Sequence, residues 1–265
     1  MTQPLLFEQK GPVAHLTLNR PDVGNAIDVP LARALMETAI RCDEDDTIRC
    51  VTLRGAGRCF CVGGDIAGFS QAGNALPGLL KELTAYVHMA VSRFARMPKP
   101  LLTIVNGAAA GAGMSLSLLG DIVLMAASAR LTPAYGGVGL SPDGGLSWVL
   151  PRLVGLRRAQ EIMLGNRAIE AREAEAIGLV TRAVADADLA DESAAMVARL
   201  AAAATGAAGR TRVLLRDSFD TSLERHLEAE SRAMADTAKS AEAQEGVAAF
   251  LAKRKPVFHA LEGEL

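Results

Sequence analysis

The chain has 265 residues, a formal net charge of −2 and no long basic run, which excludes nucleic acid as an expected partner. Half of its residues are hydrophobic and only 4% aromatic. A core of Ala, Leu and Val favours a layered α/β protein over an all-β one, and the length suffices for one large domain or a domain with an appendage.

The opening Met-Thr-Gln-Pro-Leu-Leu-Phe-Glu lacks the basic and long apolar regions of a signal peptide, so a cytoplasmic protein is expected. Residues 4–9 and 12–18 read as a hairpin turned at Lys10-Gly11, with Val13, His15 and Thr17 alternating against Ala14, Leu16 and Leu18. Turn formers fill Asn19 to Ala26. Asp28 is placed to cap a helix with Pro30 in its first turn, running to about Asp43. Arg49 to Leu53 reads as a strand.

Residues 54–66 form a glycine-containing loop. Its glycines match neither a P-loop nor a G-x-G-x-x-G pattern. Cys42, Cys50, Cys59 and Cys61 make no C-x-x-C pair, so reduced thiols and no metal are expected. Residues 71–78 read as a mobile loop, and a helix carrying His88 follows from about Leu79 to Met97, ending before Pro98.

No charge interrupts Leu101 to Gly120. Leu101 to Val105 reads as a buried strand, Asn106-Gly107 as a turn, and small residues then lead into a helix near Ala112. A backbone nearly free of side chains at a helix start presents N–H groups suited to an anion or to an oxygen that becomes negative. Val62-Gly63-Gly64-Asp65 would bring a second such N–H from another loop. Two other readings fit the apolar run. One is a membrane-crossing helix, since about 20 apolar residues span a bilayer, although this run starts as strand and lacks a basic flank. The other is close packing of a helix on a sheet.

Ile122 to Ala126 reads as a strand and Arg130 to Tyr135 as extended. In the glycine-dense stretch 136–145, Ser141 is placed to cap a helix with Pro142 first and Asp143 in its opening turn. Leu156 to Leu164 and Ala171 to Ala176 read as helices, and Leu179 to Val184 as a strand. Beyond Asp186 strand signals vanish, and residues 190–252 read as several amphipathic helices. The expected organisation is a core over 1–189 and a helical region over 190–265, whose Ala-rich surface suits packing on another subunit.

Five stretches together resemble the crotonase superfamily, the enoyl-CoA hydratase/isomerase family, over nearly the whole chain. They are Leu18-Asn-Arg-Pro21 with Asn25-Ala26, Phe60-Cys-Val-Gly-Gly-Asp65, Val105-Asn-Gly-Ala-Ala-Ala-Gly-Ala-Gly113, Ile177-Gly-Leu-Val180, and Glu245 to Pro256. The resemblance implies a spiral of ββα units with a C-terminal helical region that builds trimers or pairs of trimers. It implies an acyl-CoA thioester as substrate, so that coenzyme A is part of the substrate and no separate cofactor is needed. The thioester oxygen would be held by the N–H groups of Gly64 and Ala112. CoA would lie along Val23, Gly24, Ala26, Arg58, Val62, Gly63, Asp65 and Ile66, with Phe250 and Lys253 covering the nucleotide, across a subunit boundary in an oligomer.

Hydratases of the family use two glutamates, and the matching positions here are Ser115 and Tyr135. Neither is a base near pH 7, since Tyr titrates near ~10. Asp143, in Gly139-Leu-Ser-Pro-Asp-Gly-Gly145, resembles the proton-transferring aspartate of isomerases acting on double bonds or ring epoxides. The same position is similar to the nucleophile of 4-chlorobenzoyl-CoA dehalogenases, where a histidine spaced like His88 activates water; that branch has tryptophan where this chain has Tyr135. Four functions therefore stand: an isomerase with Asp143 as proton shuttle, a hydratase with other acid–base groups, a dehalogenase or hydrolase with Asp143 and His88, and a non-catalytic acyl-CoA-binding scaffold.

Overall fold

The computed structural model describes residues 3–258; residues 1–2 and 259–265, which include part of the opening segment and the end of the expected helical region, lie outside the described residues. The chain begins with the hairpin β1 (Leu5–Lys10) and β2 (Val13–Leu18), and α1 (Val29–Glu44) follows. The Asp28 side chain caps α1 by accepting from the Leu31 N–H, which fills one of the vacant donors at a helix start. At the other end, the buried Lys99 ammonium donates to the carbonyls of Cys42, Asp43 and Asp45 at 2.8, 3.0 and 2.6 Å. A cation there offsets the carbonyl end of the helix.

Next come β3 (Cys50–Gly55), β4 (Cys59–Cys61), α2 (Ile66–Ala72) and α3 (Leu76–Arg96). They are followed by β5 (Leu101–Val105), β6 (Ala108–Ala110), α4 (Ala112–Ser117), β7 (Ile122–Ala126) and β8 (Arg130–Thr132). After these are α5 (Leu146–Val154), α6 (Leu156–Gly165), β9 (Ile169–Glu170), α7 (Ala171–Ala176) and β10 (Arg182–Val184). Four helices close the described chain: α8 (Leu189–Ala201), α9 (Thr205–Asp217), α10 (Leu223–Thr237) and α11 (Ala241–Leu251).

The long strands form one sheet in the order β1-β2-β3-β5-β7-β10, and the short ones a second in the order β4-β6-β8-β9. The three turns that start at β3, β5 and β7 each lay a long strand in the first sheet, a short one in the second, and then helix. From β2 onward the first sheet is parallel. Parallel strands covered on both faces read as nearly continuous apolar runs, as Leu101 to Val105 does. The run from Leu101 to Gly120 thus divides into β5, β6 and α4 rather than one membrane-crossing helix. Among the described residues no helix is long and apolar enough to cross a membrane.

Several local expectations change. The stretch 71–78, expected as a loop, is the end of α2, a 3-10 turn and the start of α3, because α2 and α3 pack on each other. The loop expected over 54–66 contains β4. The strand expected from Leu179 is shorter, Arg182–Val184. Ser141 caps nothing, and α5 starts only at Leu146. Gly144 and Gly145 have φ of +60° and +81°, a left-handed backbone that a right-handed helix cannot include.

The final helices are tied to the core by two arginines. Arg49 is buried; its guanidinium donates to the Ala201 and Ala203 carbonyls and pairs with Glu242 at 2.9 Å. Glu242 also accepts from the Thr205 and Gly206 N–H groups. Arg212 pairs with Asp121 at 2.7 Å and donates to the Phe94 and Met97 carbonyls. Gly209 of α9 lies where a Cβ would meet the Pro98 carbonyl oxygen at 2.4 Å, so helix and loop backbones touch.

Candidate functional site

The site grows out of two backbone segments that run side by side. Ile27 donates to the Gly63 carbonyl at 2.7 Å and accepts from the Asp65 N–H at 3.1 Å. In such a parallel bridge the intervening residue turns its own N–H away, so the Gly64 N–H lies on the side opposite Ile27. Arg20 locks the segments together by pairing with Asp28 at 3.0 Å and Asp65 at 3.3 Å. Asp65 also caps α2 by accepting from the Gly68 N–H. Asn25 is wholly buried; its side chain accepts from the Arg20 N–H and donates to the Ala56 and Cys59 carbonyls. The sequence reading gave Arg20 and Asn25 no such work. Asn25 left one usable signal, since Asn beside Gly in a loop tolerates φ > 0, and its φ is +59°.

The second loop arrives through β6. Gly111, at φ +51° and ψ −126°, precedes α4, and no side chain caps that helix. Among the described residues, the N–H groups of Gly64 and Ala112 have no protein acceptor. The loops touch at Gly63, where a Cβ would lie 2.9 Å from the Ala110 carbonyl oxygen and 3.6 Å from the Ala112 nitrogen. Because α4 has only six residues, its N–H groups themselves, not a long helix dipole, are what it can present.

Gly64 and Ala112 line one cavity of about 300 Å³ with Phe69, Leu83, Leu140 and Asp143. Its wall is otherwise largely apolar, and among the described residues Lys81 is the other charged side chain on it. Asp143 is half-buried in the loop before α5. Its Oδ1 accepts from the Tyr135 hydroxyl at 2.5 Å. The Ser115 hydroxyl lies 3.1 Å from the Tyr135 oxygen and 3.0 Å from the Asp143 carbonyl oxygen. Burial, and next the charge of Asp143, push the Tyr135 phenol well above its ordinary range, so it remains a donor. Ser115 and Tyr135 are thus joined to Asp143 rather than standing apart as a second acid–base pair.

His88 is exposed on α3 and does not line the cavity. Its Nε2 accepts from the Gly144 N–H at 3.2 Å, which directs that nitrogen at the loop backbone and not at a water in the cavity. Of the residues expected along CoA, Val62, Gly63 and Ile66 line the cavity, and Val62 donates its N–H to the Gly24 carbonyl at 3.0 Å. Val23 and Arg58 are exposed, while Ala26 is buried with its carbonyl accepting from Arg20. Phe250, 83% exposed, and Lys253 lie beyond this cavity, on and just after α11. Cys61 is buried beneath the first loop, and burial pushes its thiol up to about 12.

Gly64 must lack a side chain for a reason the sequence did not reveal. A Cβ there would sit 2.5 Å from the Phe69 ring. Gly64→Ala is expected to drive that ring into the cavity and raise KM about tenfold, an effect of roughly 1.4 kcal/mol. Adding Phe69→Leu should restore much of it; steady-state kinetics of the single and double variants check this.

The profile described as enoyl-CoA hydratase/isomerase matches residues 8–260. The chain belongs to the enoyl-CoA hydratase/isomerase family. Enzymes of this family act on acyl-CoA thioesters, and the fold is that of the crotonase superfamily. The chain is 38% identical over 252 residues to 1,2-epoxyphenylacetyl-CoA isomerase of Escherichia coli K12, covering 94% of this chain and 95% of that one. It is 36% identical to a probable enoyl-CoA hydratase of Rhodobacter capsulatus, covering 95% and 96%. A crystal structure of an enoyl-CoA hydratase from Polaromonas sp. JS666 superposes with a TM-score of 0.90 at 31% identity, over 95% of this chain and 98% of that one.

Proposed function

We propose that this family member is an acyl-CoA isomerase that moves a double bond or rearranges a ring epoxide, with Asp143 as the proton shuttle. One observation carries the reading: among the described residues, Asp143 is the one carboxylate lining the cavity that also holds Gly64 and Ala112. A 1,3-shift of a double bond needs no more than one such group. Asp143 takes a proton from the carbon next to the thioester, and the electron pair of that C–H bond delocalises onto the thioester oxygen. The Gly64 and Ala112 N–H groups stabilise this enolate more than the neutral carbonyl; one such donor is typically worth about 3 kcal/mol. Asp143 then delivers a proton two carbons away as the carbonyl reforms, so no proton is gained or lost.

Syn addition of water by two carboxylates finds no second carboxylate on this wall among the described residues, and Ser115 and Tyr135 occupy the positions that match the glutamates of the hydratases. Water activation by His88 is opposed by the engagement of its Nε2 with Gly144. The test is a panel of trans-2-enoyl-CoA, cis-3-enoyl-CoA and aryl-CoA substrates with native protein and Asp143→Asn. Isomerisation that disappears in the variant supports the reading. Hydration by both proteins at equal rates, or a covalent acyl adduct on Asp143 by mass spectrometry, overturns it.

We also propose that residues 190–265 build a homotrimer or a dimer of trimers, and that Phe250 and Lys253 cover the nucleotide of a neighbouring subunit's CoA. Leu215, Phe219, Leu223, Met234 and Phe250 each expose more than 60% of their surface. Apolar side chains exposed along the C-terminal helices support this reading. Sedimentation velocity is expected to give three or six times the 27.7 kDa chain mass; a monomer at micromolar concentration would exclude the assembly.

A further inference from the structure

The loop that carries Asp143 is held at more points than a simple wall residue requires. Asp143 Oδ1 accepts from Tyr135 at 2.5 Å. Its carbonyl oxygen is 3.0 Å from the Ser115 hydroxyl and accepts from the Leu146 N–H at 3.2 Å. The next N–H, of Gly144, donates to His88 Nε2 at 3.2 Å. Tyr135 is itself buried, with Ser115 Oγ beside its hydroxyl at 3.1 Å. The other carboxylate oxygen, Oδ2, has no hydrogen-bond partner among the described residues.

We infer that Tyr135, supported by Ser115, is a positioning residue that immobilises one oxygen of Asp143, so that the remaining oxygen alone collects the proton from the substrate and delivers it back. This rests on the isomerase reading above and adds to it the fate of the proton. A free aspartate rotates broadly about its last torsion and presents either oxygen. A proton taken up by such a group turns outward and exchanges with water before it is returned. With Oδ1 occupied by a short, charge-assisted bond, rotation is blocked. The proton on Oδ2 stays over the substrate carbons until the enolate takes it. The Tyr135 hydroxyl keeps its own proton throughout, so the shuttle balances without it.

The probe is cis-3-hexenoyl-CoA carrying two deuterium atoms at C2. In the native enzyme a substantial fraction of the trans-2-hexenoyl-CoA product is expected to carry deuterium at C4, read by mass spectrometry and NMR. Tyr135→Phe keeps the ring and removes the clamp. It is expected to lower that fraction at least twofold and kcat about tenfold, with KM changed less than twofold. Ser115→Ala should move the label fraction in the same direction by less, and serves if Tyr135→Phe is poorly folded. A purely packing role for Tyr135 would leave the label fraction unchanged. Native product without deuterium at C4, or a native-like fraction and kcat in both variants, overturns the clamp while an inactive Asp143→Asn leaves the shuttle standing. Native enzyme that does not isomerise the probe, or Asp143→Asn that does, overturns shuttle and clamp together.

Discussion

Asp143→Asn is expected to lower kcat by about 10³-fold or more while leaving KM and thermal stability nearly unchanged. General-base groups typically contribute 10²- to 10⁴-fold, and among the described residues no second carboxylate lines the cavity to take over. Asn keeps an oxygen to accept the Tyr135 hydroxyl, so the network that holds the loop survives the change. An interaction made only in the transition state is removed, which lowers kcat and kcat/KM together. Asp143→Glu tests the same idea from the other side. It retains the charge but displaces the carboxylate by about one bond length, and a shift near 1 Å costs roughly 10²-fold. If Asp143→Asn retained more than a tenth of native turnover, another group would have to move the proton.

Gly113→Ala is expected to produce a large loss of stability for a single methyl addition. Its Cβ would lie 2.0 Å from the Cys61 carbonyl oxygen and 2.7 Å from the carbonyl carbon. Those atoms belong to β4, in which Cys61 pairs with Ala109 of β6, so neither side can give way. Overpacking against backbone is expected to cost roughly 3 kcal/mol or more, about 10 °C in Tm for a chain of this size. The contrasting change is Gly78→Ala in the first turns of α3, where an added Cβ meets nothing within 4 Å. There the methyl should stabilise by about 0.5–1 kcal/mol, because alanine gives up less backbone freedom in a helix. Thermal unfolding of both variants decides it. Equal effects at the two positions would mean that conformational freedom, not contact, sets the need for glycine at 113.

That pair of glycines also bears on how the small-residue stretch 107–113 is read. Close packing and a functional loop were both open from sequence, and the chain uses both. Gly107 and Gly113 are small because the Arg58 and Cys61 carbonyls press on them. Ala112, between them in the chain, supplies an unpaired N–H on the cavity wall. A string of letters cannot separate these uses, because the atoms that distinguish them come from residues some fifty positions earlier.

What the residues determined by themselves is what depends on neighbours along the chain. The hairpin β1–β2, the capped start of α1 at Asp28, the buried strand β5 and the helical run after Leu189 all follow from short-range patterns of polarity, turn residues and caps. The order and spacing of the five family-like stretches belong here too. Of the second sheet only β8, within the extended stretch from Arg130, was visible. β4, β6 and β9 are two or three residues long, too short to show alternation, and they exist only because the spiral brings them into register. The start of α5 was misjudged because Ser-Pro-Asp is a fine local beginning, while two left-handed glycines just after it forbid one. The joining of Tyr135 to Asp143, of His88 to Gly144, and of Arg20 to Asp28 and Asp65 was decided in three dimensions alone. Such contacts depend on where the backbone carries each side chain, and that is set by the packing of the whole core rather than by local sequence.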